Sequence, residues 1–302
     1  MPVEGPAPSP VTRQLPRLGL GISGPHGAAW FDPGKTRELI AEALRFGISA
    51  FDTSPLYGDA ETRLGTALAG LSHADRAALR VSDKVGNFID AGGKRRRDFS
   101  GDAIRRLVEN SLTRLGLETL DILYLHGPNE HELLSSLEIL QDLKRSGMIR
   151  RTGVCSEGSH LARAAREADV DVLMGTYNIL DRRHADLFAE AASAGKQVTA
   201  IAPLCQGLYR RGFFLPKSLP DAWYIARALA RNRDRLAAAR DLAWLHEVPG
   251  WTPAGLALGF VLANPAVDCA MLTTTRIGHL QANVAAAALP LPDDLLLRLE
   301  AI

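Results

Sequence analysis

The sequence predicts an α/β chain folded as a (β/α)8 TIM barrel, one domain over residues 16–302. Three observations lead there. Short apolar strands alternate with amphipathic helices, eight strand–helix units can be counted, and no Pro/Ser-rich linker divides them. Such alternation makes a parallel sheet, because each helix carries the chain back to the start of the next strand. Eight units in about 270 residues close a barrel more readily than they build an open doubly wound sheet, which needs a topological switch point and usually a glycine fingerprint. The segment "GLGISG" (19–24) offers glycines, but "PHGAAW" follows where that fingerprint requires a helix.

The first strand reads "RLGLGIS" (17–23). After it comes "KTRELIAEALRFG" (35–47), with apolar residues at helical spacing and Gly47 as its stop. Strand "ISAFD" (48–52) precedes a helix at 60–70, "LRVSDKVG" (79–86) a helix at 102–115, and "LDILYLH" (120–126) a helix at 131–146. Strands "RRTGVCS" (150–156) and "VDVLMGTYN" (170–178) carry helices at 159–168 and 183–194. Strand "QVTAIAP" (197–203) is followed by helices within 219–247 and at 252–263. Strand "VDCAMLT" (267–273) and a helix at 276–288 make the eighth unit. Residues 1–15 hold four prolines and no apolar h-region, and read as a flexible tail rather than a signal peptide.

With 46% hydrophobic and 23% charged residues, the chain can bury a full core. A net charge of +1 gives no field that points to nucleic acid or an anionic membrane. The basic run "KRRR" (94–97) reads as a solvated loop. Cys155, Cys205 and Cys269 are widely spaced and form no CxxC, so a reducing cytoplasm and no metal are expected. No apolar run is long enough to span a bilayer.

In such a barrel the chemistry gathers at the carboxyl ends of the strands. There the second strand ends in Asp52, with Tyr57 on the loop after it. The third carries Lys84 and the fourth ends in His126. Each residue alone has an ordinary structural reading, as cap, packing residue, snorkelling cation or core imidazole. Together they make a chemical set. A lysine drawn into the mouth loses hydration unless an anion offsets it, and Asp52 is the available anion. Lys84 would then favour the phenolate of Tyr57, lowering a pKa that starts near about 10.

At these residues the chain resembles the aldo-keto reductase superfamily, within it the bacterial aldose and sugar dehydrogenases. The resemblance rests on "FDTSPLYGDAETRLGTAL" (51–68), "VSDKVG" (81–86), "IRRLVENSLTRLGLETLDILYLHGP" (104–128), "LKRSGMIRRTGVCS" (143–156) and "TPAGLALGFVLANPAV" (252–267). It implies a barrel that binds NADP(H), less often NAD(H), without a Rossmann domain. It also implies an NADP-dependent oxidoreductase acting on a small carbonyl or alcohol, with Tyr57 as general acid or base, Lys84 and Asp52 tuning it, and His126 orienting the substrate oxygen. A monomer without metal is the family's usual form.

The same resemblance places the cofactor near Ser156, Glu157, Met174 and Ile201. Glu157 stands where the family has Asn, Met174 where it has Gln, and Ile201 where an aromatic ring often stacks. The loop "PLCQGLYRRG" (203–212), with Leu204, Gln206, Gly207, Leu208, Arg210 and Arg211, is similar to the segment over the pyrophosphate. Thr273, Thr274 and Thr275 would offer hydroxyls, Arg276 a fork for a 2′-phosphate, and Asn283 a contact to adenine. Trp30, Phe31, Phe88 and Asn129 are expected to line the substrate slot, with Asn87, Tyr209, Phe213 and Phe214 as further wall candidates. The drift at Glu157, Met174 and Ile201 keeps an alternative open, a barrel using the same four residues as a lyase, dehydratase or isomerase. A regulatory subunit fits less well with a retained buried Lys–Asp pair.

Overall fold

The computed structural model describes residues 17–211, 213, 215–231 and 238–302. The expected tail at 1–15 lies outside them, as does Phe214. Eight parallel strands close a barrel: β1 (Leu18–Gly21), β2 (Ala50–Asp52), β3 (Arg80–Val85), β6 (Ile122–His126), β7 (Thr152–Cys155), β8 (Val172–Thr176), β9 (Gln197–Ile201) and β10 (Cys269–Leu272). Closure is made by β1, which pairs with both β2 and β10. The eight units expected from the alternation are all present.

Two additions lie outside that reading. An antiparallel hairpin, β4 (Asn87–Ile89) with β5 (Arg95–Arg97), rises from the end of β3. The basic run is therefore a strand and not a loop. Its charges are exposed as expected, and two are answered locally, Arg96 by Asp90 at 2.6 Å and Arg97 by Glu132 at 2.9 Å. The alternation of side chains in three arginines carries no apolar signal, which is why periodicity missed it. Short helices at His73–Ala78 and Asp293–Glu300 are also additional.

The helices start and stop where capping chemistry directs. Helix α1 (Pro33–Arg45) has Asp32 accepting from the Gly34 amide at 2.8 Å and Pro33 in its first turn. Helix α4 (Gly101–Leu115) ends on Gly116 in the left-handed region. Helix α5 (Glu130–Arg145) opens with a capping box between Asn129 and Glu132. Asn129, expected to line the substrate slot, caps this helix.

The core has two layers. Between strands and helices lies the larger, around Leu20, Phe51, Leu123, Val198 and Phe260. Inside the barrel sits a smaller cluster with Ala50, Ile122, Tyr124, Val172, Cys269 and Met271, where the Tyr124 hydroxyl meets Thr199 Oγ1 at 3.2 Å. This filling makes the barrel a solid support, so any cavity has to lie above it at the strand ends. Helix α9 (Pro253–Ala263) is apolar nearly all round and buries Leu256 through Val261. No helix among the described residues is long and apolar enough to cross a membrane.

Candidate active site

β2 and β3 pair with Asp52 opposite Ser82. Two residues further along β3, on the same face, stands Lys84. Register alone therefore brings the acid and the lysine together at one strand end. The Lys84 ammonium, 2% exposed, is ion-paired to the Asp52 carboxylate and also donates to the Thr53 carbonyl at 2.9 Å. The other Asp52 oxygen accepts from Ser82 Oγ at 2.7 Å. A tight turn after β2 then lifts Tyr57, with the Leu56 amide donating to Ser54 Oγ and the Tyr57 amide to the Ser54 carbonyl.

Two glycines clamp that turn. A Cβ on Gly27 would fall 1.4 Å from the Tyr57 carbonyl oxygen, and one on Gly58 2.3 Å from that of Gly27. The loop after β1 thus presses directly on the Tyr57 backbone, an approach any side chain would forbid. The Lys84 ammonium lies 5.3 Å from the Tyr57 ring centroid. From the end of β6, His126 meets Tyr57 edge to face, with centroids 5.9 Å apart and Nδ1 3.3 Å from Ser54 Oγ.

The buried pair contributes little net stability. Attraction of about 4 kcal/mol at an effective dielectric of about 20 is opposed by several kcal/mol of lost hydration for each ion. Electrostatically it is one-sided. Burial pulls the Lys84 pKa down, but Asp52, Tyr57 and Cys155 together more than offset it, so the amine stays charged with its pKa above the ordinary value. The Tyr57 phenol moves the opposite way from the sequence expectation. Lys84 does lower its pKa, but burial raises it further, assisted by Asp52, and the net shift is upward. Sequence reasoning weighed the neighbouring charge and not the depth. The outcome is a neutral, proton-bearing phenol beside a permanent cation.

A second buried acid, Asp83, precedes Lys84 and points to the other face of β3. Asp83 accepts the Lys84 amide on Oδ1 at 2.8 Å, and its Oδ2 has no hydrogen-bond partner. Burial, then the nearby Glu61 carboxyl, hold its pKa well above the carboxylate range. Glu61 is itself satisfied by Ser111 at 2.6 Å and Arg114 at 2.8 Å. A folded-state pKa raised above the unfolded one favours folding at acid pH, and this contribution is lost as pH rises through the folded pKa. Asp83→Asn is therefore expected to flatten the fall in stability that begins as pH rises past the unfolded carboxylate's pKa of about 3.9 and ends at the folded one, by up to about 1.4 kcal/mol per pH unit. Urea denaturation of both proteins across pH checks it, and parallel curves would refute it.

A cavity of about 690 Å³ opens above the strand ends, lined by Asp52, Tyr57 and Lys84. Glu157, Met174, Ile201, Leu204, Gln206, Gly207, Thr273, Thr274, Thr275, Arg276 and Asn283 line it too, as do Tyr209, Arg210, Arg211 and Phe213. Leu208 borders an adjoining depression instead. Ser156 is not in the wall, although its neighbours Cys155 and Glu157 are. His126 is not in the wall, but it meets Tyr57 edge to face. Glu157 accepts from the Thr176 amide and hydroxyl at 3.2 and 2.5 Å, so one of its oxygens is already engaged.

Of the expected substrate-wall residues, Tyr209 and Phe213 line this cavity, whereas Trp30, Phe31, Phe88, Asn129 and Asn87 do not. Phe31 is buried, edge-on to His26 at 5.3 Å and to Trp30 at 6.0 Å, and is packing. Trp30 is 47% exposed. Phe88 packs against the core from β4, and Asn87 donates to the His126 carbonyl at 2.6 Å. A further part of the wall comes from α8 (Leu219–Arg231), through Trp223, Tyr224 and Arg227. The sequence signal was an aromatic pair with an arginine one turn on, "WYIAR" (223–227), within a segment added between the seventh strand and its helix. That reading found helix there but no function.

Geometry of this kind defines a class of protein, and comparison with known proteins agrees with it. The aldo/keto reductase family profile matches residues 17–302. The chain belongs to that family and is an oxidoreductase enzyme. It is similar to an L-galactose dehydrogenase of Arabidopsis thaliana, 29% identical over 89% of this chain and 83% of the relative. It is similar also to a D-threo-aldose 1-dehydrogenase of Pseudomonas sp, 30% identical over 85% of this chain and 84% of the relative. Among solved structures, an aldo/keto reductase from Klebsiella pneumoniae in complex with NADP and acetate superposes with a TM-score of 0.72 at 25% identity, covering 95% of this chain and 91% of the other. The non-redox alternative gains no support from these relatives.

Proposed function

We propose that the enzyme reduces the carbonyl of an aldehyde, ketone or sugar, or oxidises the corresponding alcohol, with NADP(H) favoured over NAD(H). The observation that carries this reading is the neutral Tyr57 phenol set beside the buried Lys84–Asp52 pair in the wall of one cavity. In reduction Tyr57 gives its proton to the developing alkoxide, and in oxidation it takes it back. Lys84, fixed as a cation, stabilises the tyrosinate left behind, while Asp52 holds Lys84 in place. His126, edge-on to Tyr57, would orient the substrate oxygen.

A nicotinamide cofactor fits the rest of the cavity. Gln206 Oε1 and Asn283 Nδ2 are buried there without protein partners, an arrangement that suits a polar ligand. When bound, the nicotinamide supplies or accepts the hydride. Glu157, Met174 and Ile201 would stand about the nicotinamide end, with Leu204, Gln206 and Gly207 along the pyrophosphate. Thr273, Thr274, Thr275 and Arg276 would face the adenosine phosphate, and Asn283 the adenine.

Arg276 supports the preference for NADP(H). It is ion-paired to Asp221 at 2.7 Å, and its fork has donors to share with a phosphate. Arg276→Ala is expected to weaken NADPH binding by about 10- to 100-fold, the worth of a charge-assisted hydrogen bond, and NADH binding much less. Fluorescence titration of both cofactors checks it, and equal losses would rule out the 2′-phosphate role. A monomer in a reducing cytoplasm completes this reading, and Cys155, Cys205 and Cys269 are buried and form no disulfide.

A further inference from the structure

Helix α8 crosses the mouth of the cavity. Near its start Asp221 holds Arg276, on the side of the cavity formed by Thr274 and the strand end of β10. Two residues later the Trp223 ring edge lies against Gly24, in the loop after β1, the strand next to β10, so that a Cβ on Gly24 would fall 2.7 Å from the indole. One turn further on, Arg227 places its guanidinium 5.2 Å from the Trp223 ring centroid. Both residues line the cavity that contains Tyr57, and the Arg227 charge reaches the Tyr57 phenol.

Between them Tyr224 presents a hydroxyl that is buried and has no hydrogen-bond partner. Its ring stands edge-on to Trp223, with centroids 5.1 Å apart. A buried donor left unmade costs free energy unless a ligand satisfies it. An unpartnered phenolic O–H and, three residues on in the same helix, a guanidinium, both in the lining of the cavity that holds the proton donor, form a receptor for an anionic oxygen group. One charge and a planar fork match a carboxylate better than a phosphate dianion. The cations at the other end, Arg210 and Arg276, are both within 4 Å of Asp221. Arg227 is on the side of Trp223 and Tyr57.

We propose that Tyr224 and Arg227 bind a carboxylate on the substrate, so that the enzyme prefers an aldehyde or ketone bearing an acid group over its neutral counterpart. This rests on the carbonyl-oxidoreductase reading and narrows its substrate class.

Two probes of one shape test it, 4-carboxybenzaldehyde and benzaldehyde, with the full chain and NADPH. The unaltered enzyme is expected to show the higher kcat/KM for the carboxylated aldehyde. In Arg227→Gln the ratio of the two kcat/KM values should fall by about 10- to 100-fold, and in Tyr224→Phe by about 3- to 10-fold. Arg227→Lys should recover part of the ratio, since it keeps the charge but not the fork. A ratio unchanged in Arg227→Gln overturns the proposal. So does a loss of NADPH affinity by the same factor as the loss in kcat/KM, which would assign the guanidinium to the cofactor's phosphates. Benzoate binding, measured by calorimetry with NADPH present, needs no turnover. It should weaken about tenfold or more in Arg227→Gln, and an unchanged benzoate Kd overturns the receptor even if neither aldehyde is turned over. Absence of turnover with any carbonyl, beside a benzoate site that depends on Arg227, would instead remove the oxidoreductase reading and leave the receptor standing.

Discussion

Tyr57→Phe is expected to lower kcat by about 10²- to 10⁴-fold, the range that positioned proton transfer contributes. The substitution removes one oxygen and leaves the ring that packs edge-on against His126. Cofactor affinity should change little, because the phenol is one group among many in the wall of a cavity of about 690 Å³. Nicotinamide absorbance gives the rate and fluorescence titration gives the affinity. A fall in affinity as large as the fall in kcat would mean that Tyr57 supports binding and not proton transfer. The pH dependence follows from the upward shift of the phenol. Carbonyl reduction needs the protonated form, so it should hold across neutral pH and decline only in alkali. Alcohol oxidation should rise toward alkali.

Lys84→Met should be nearly as damaging, and for two separable reasons. It removes the cation that stabilises a tyrosinate, and it strands a buried Asp52 whose remaining side-chain donor is Ser82. Breaking such a pair costs about 3–5 kcal/mol, or a fall of about 10 °C in the thermal midpoint. The double variant Asp52→Asn with Lys84→Met leaves no buried charge at this strand end. It should recover most of the stability and none of the turnover. Scanning calorimetry and kinetics on the two variants check both halves. If the double variant is as unstable as the single one, the loss comes from packing around the lysine stem and the account of the stranded charge fails.

Much of this molecule was legible in the chain. Alternating strand and helix patterns gave the barrel, and the rule that barrels react at their carboxyl ends gave Asp52, Tyr57, Lys84 and, beside them, His126. Fixed offsets explain that success. Asp52 and Lys84 meet because parallel register and two-residue alternation place them so, and both properties are local or nearly local. The arginine strand of β5 escaped, since its partner across the hairpin and its acids Asp90 and Glu132 decide its shape more than its own pattern does.

The substrate wall was read in part: Tyr209 and Phe213 line the cavity, but the loops after the first and fourth strands do not supply it. Phe31 and Asn129 sit near strand ends in sequence, but one is packed under His26 and the other caps α5. Whether an aromatic faces a cavity or the core depends on how its loop folds back, which no periodicity encodes. Trp223, Tyr224 and Arg227 reach Tyr57 only because α8 is carried across the mouth and held by contacts with Gly24 and Arg276, far away in the chain. The direction of the Tyr57 shift has the same origin. The sequence by itself determined which groups meet, the barrel, the acid–lysine pair and the phenol, because these follow from strand order and register. The tertiary structure alone decided how deeply the phenol is buried and what faces it, because desolvation and cavity walls are sums over contacts from distant segments.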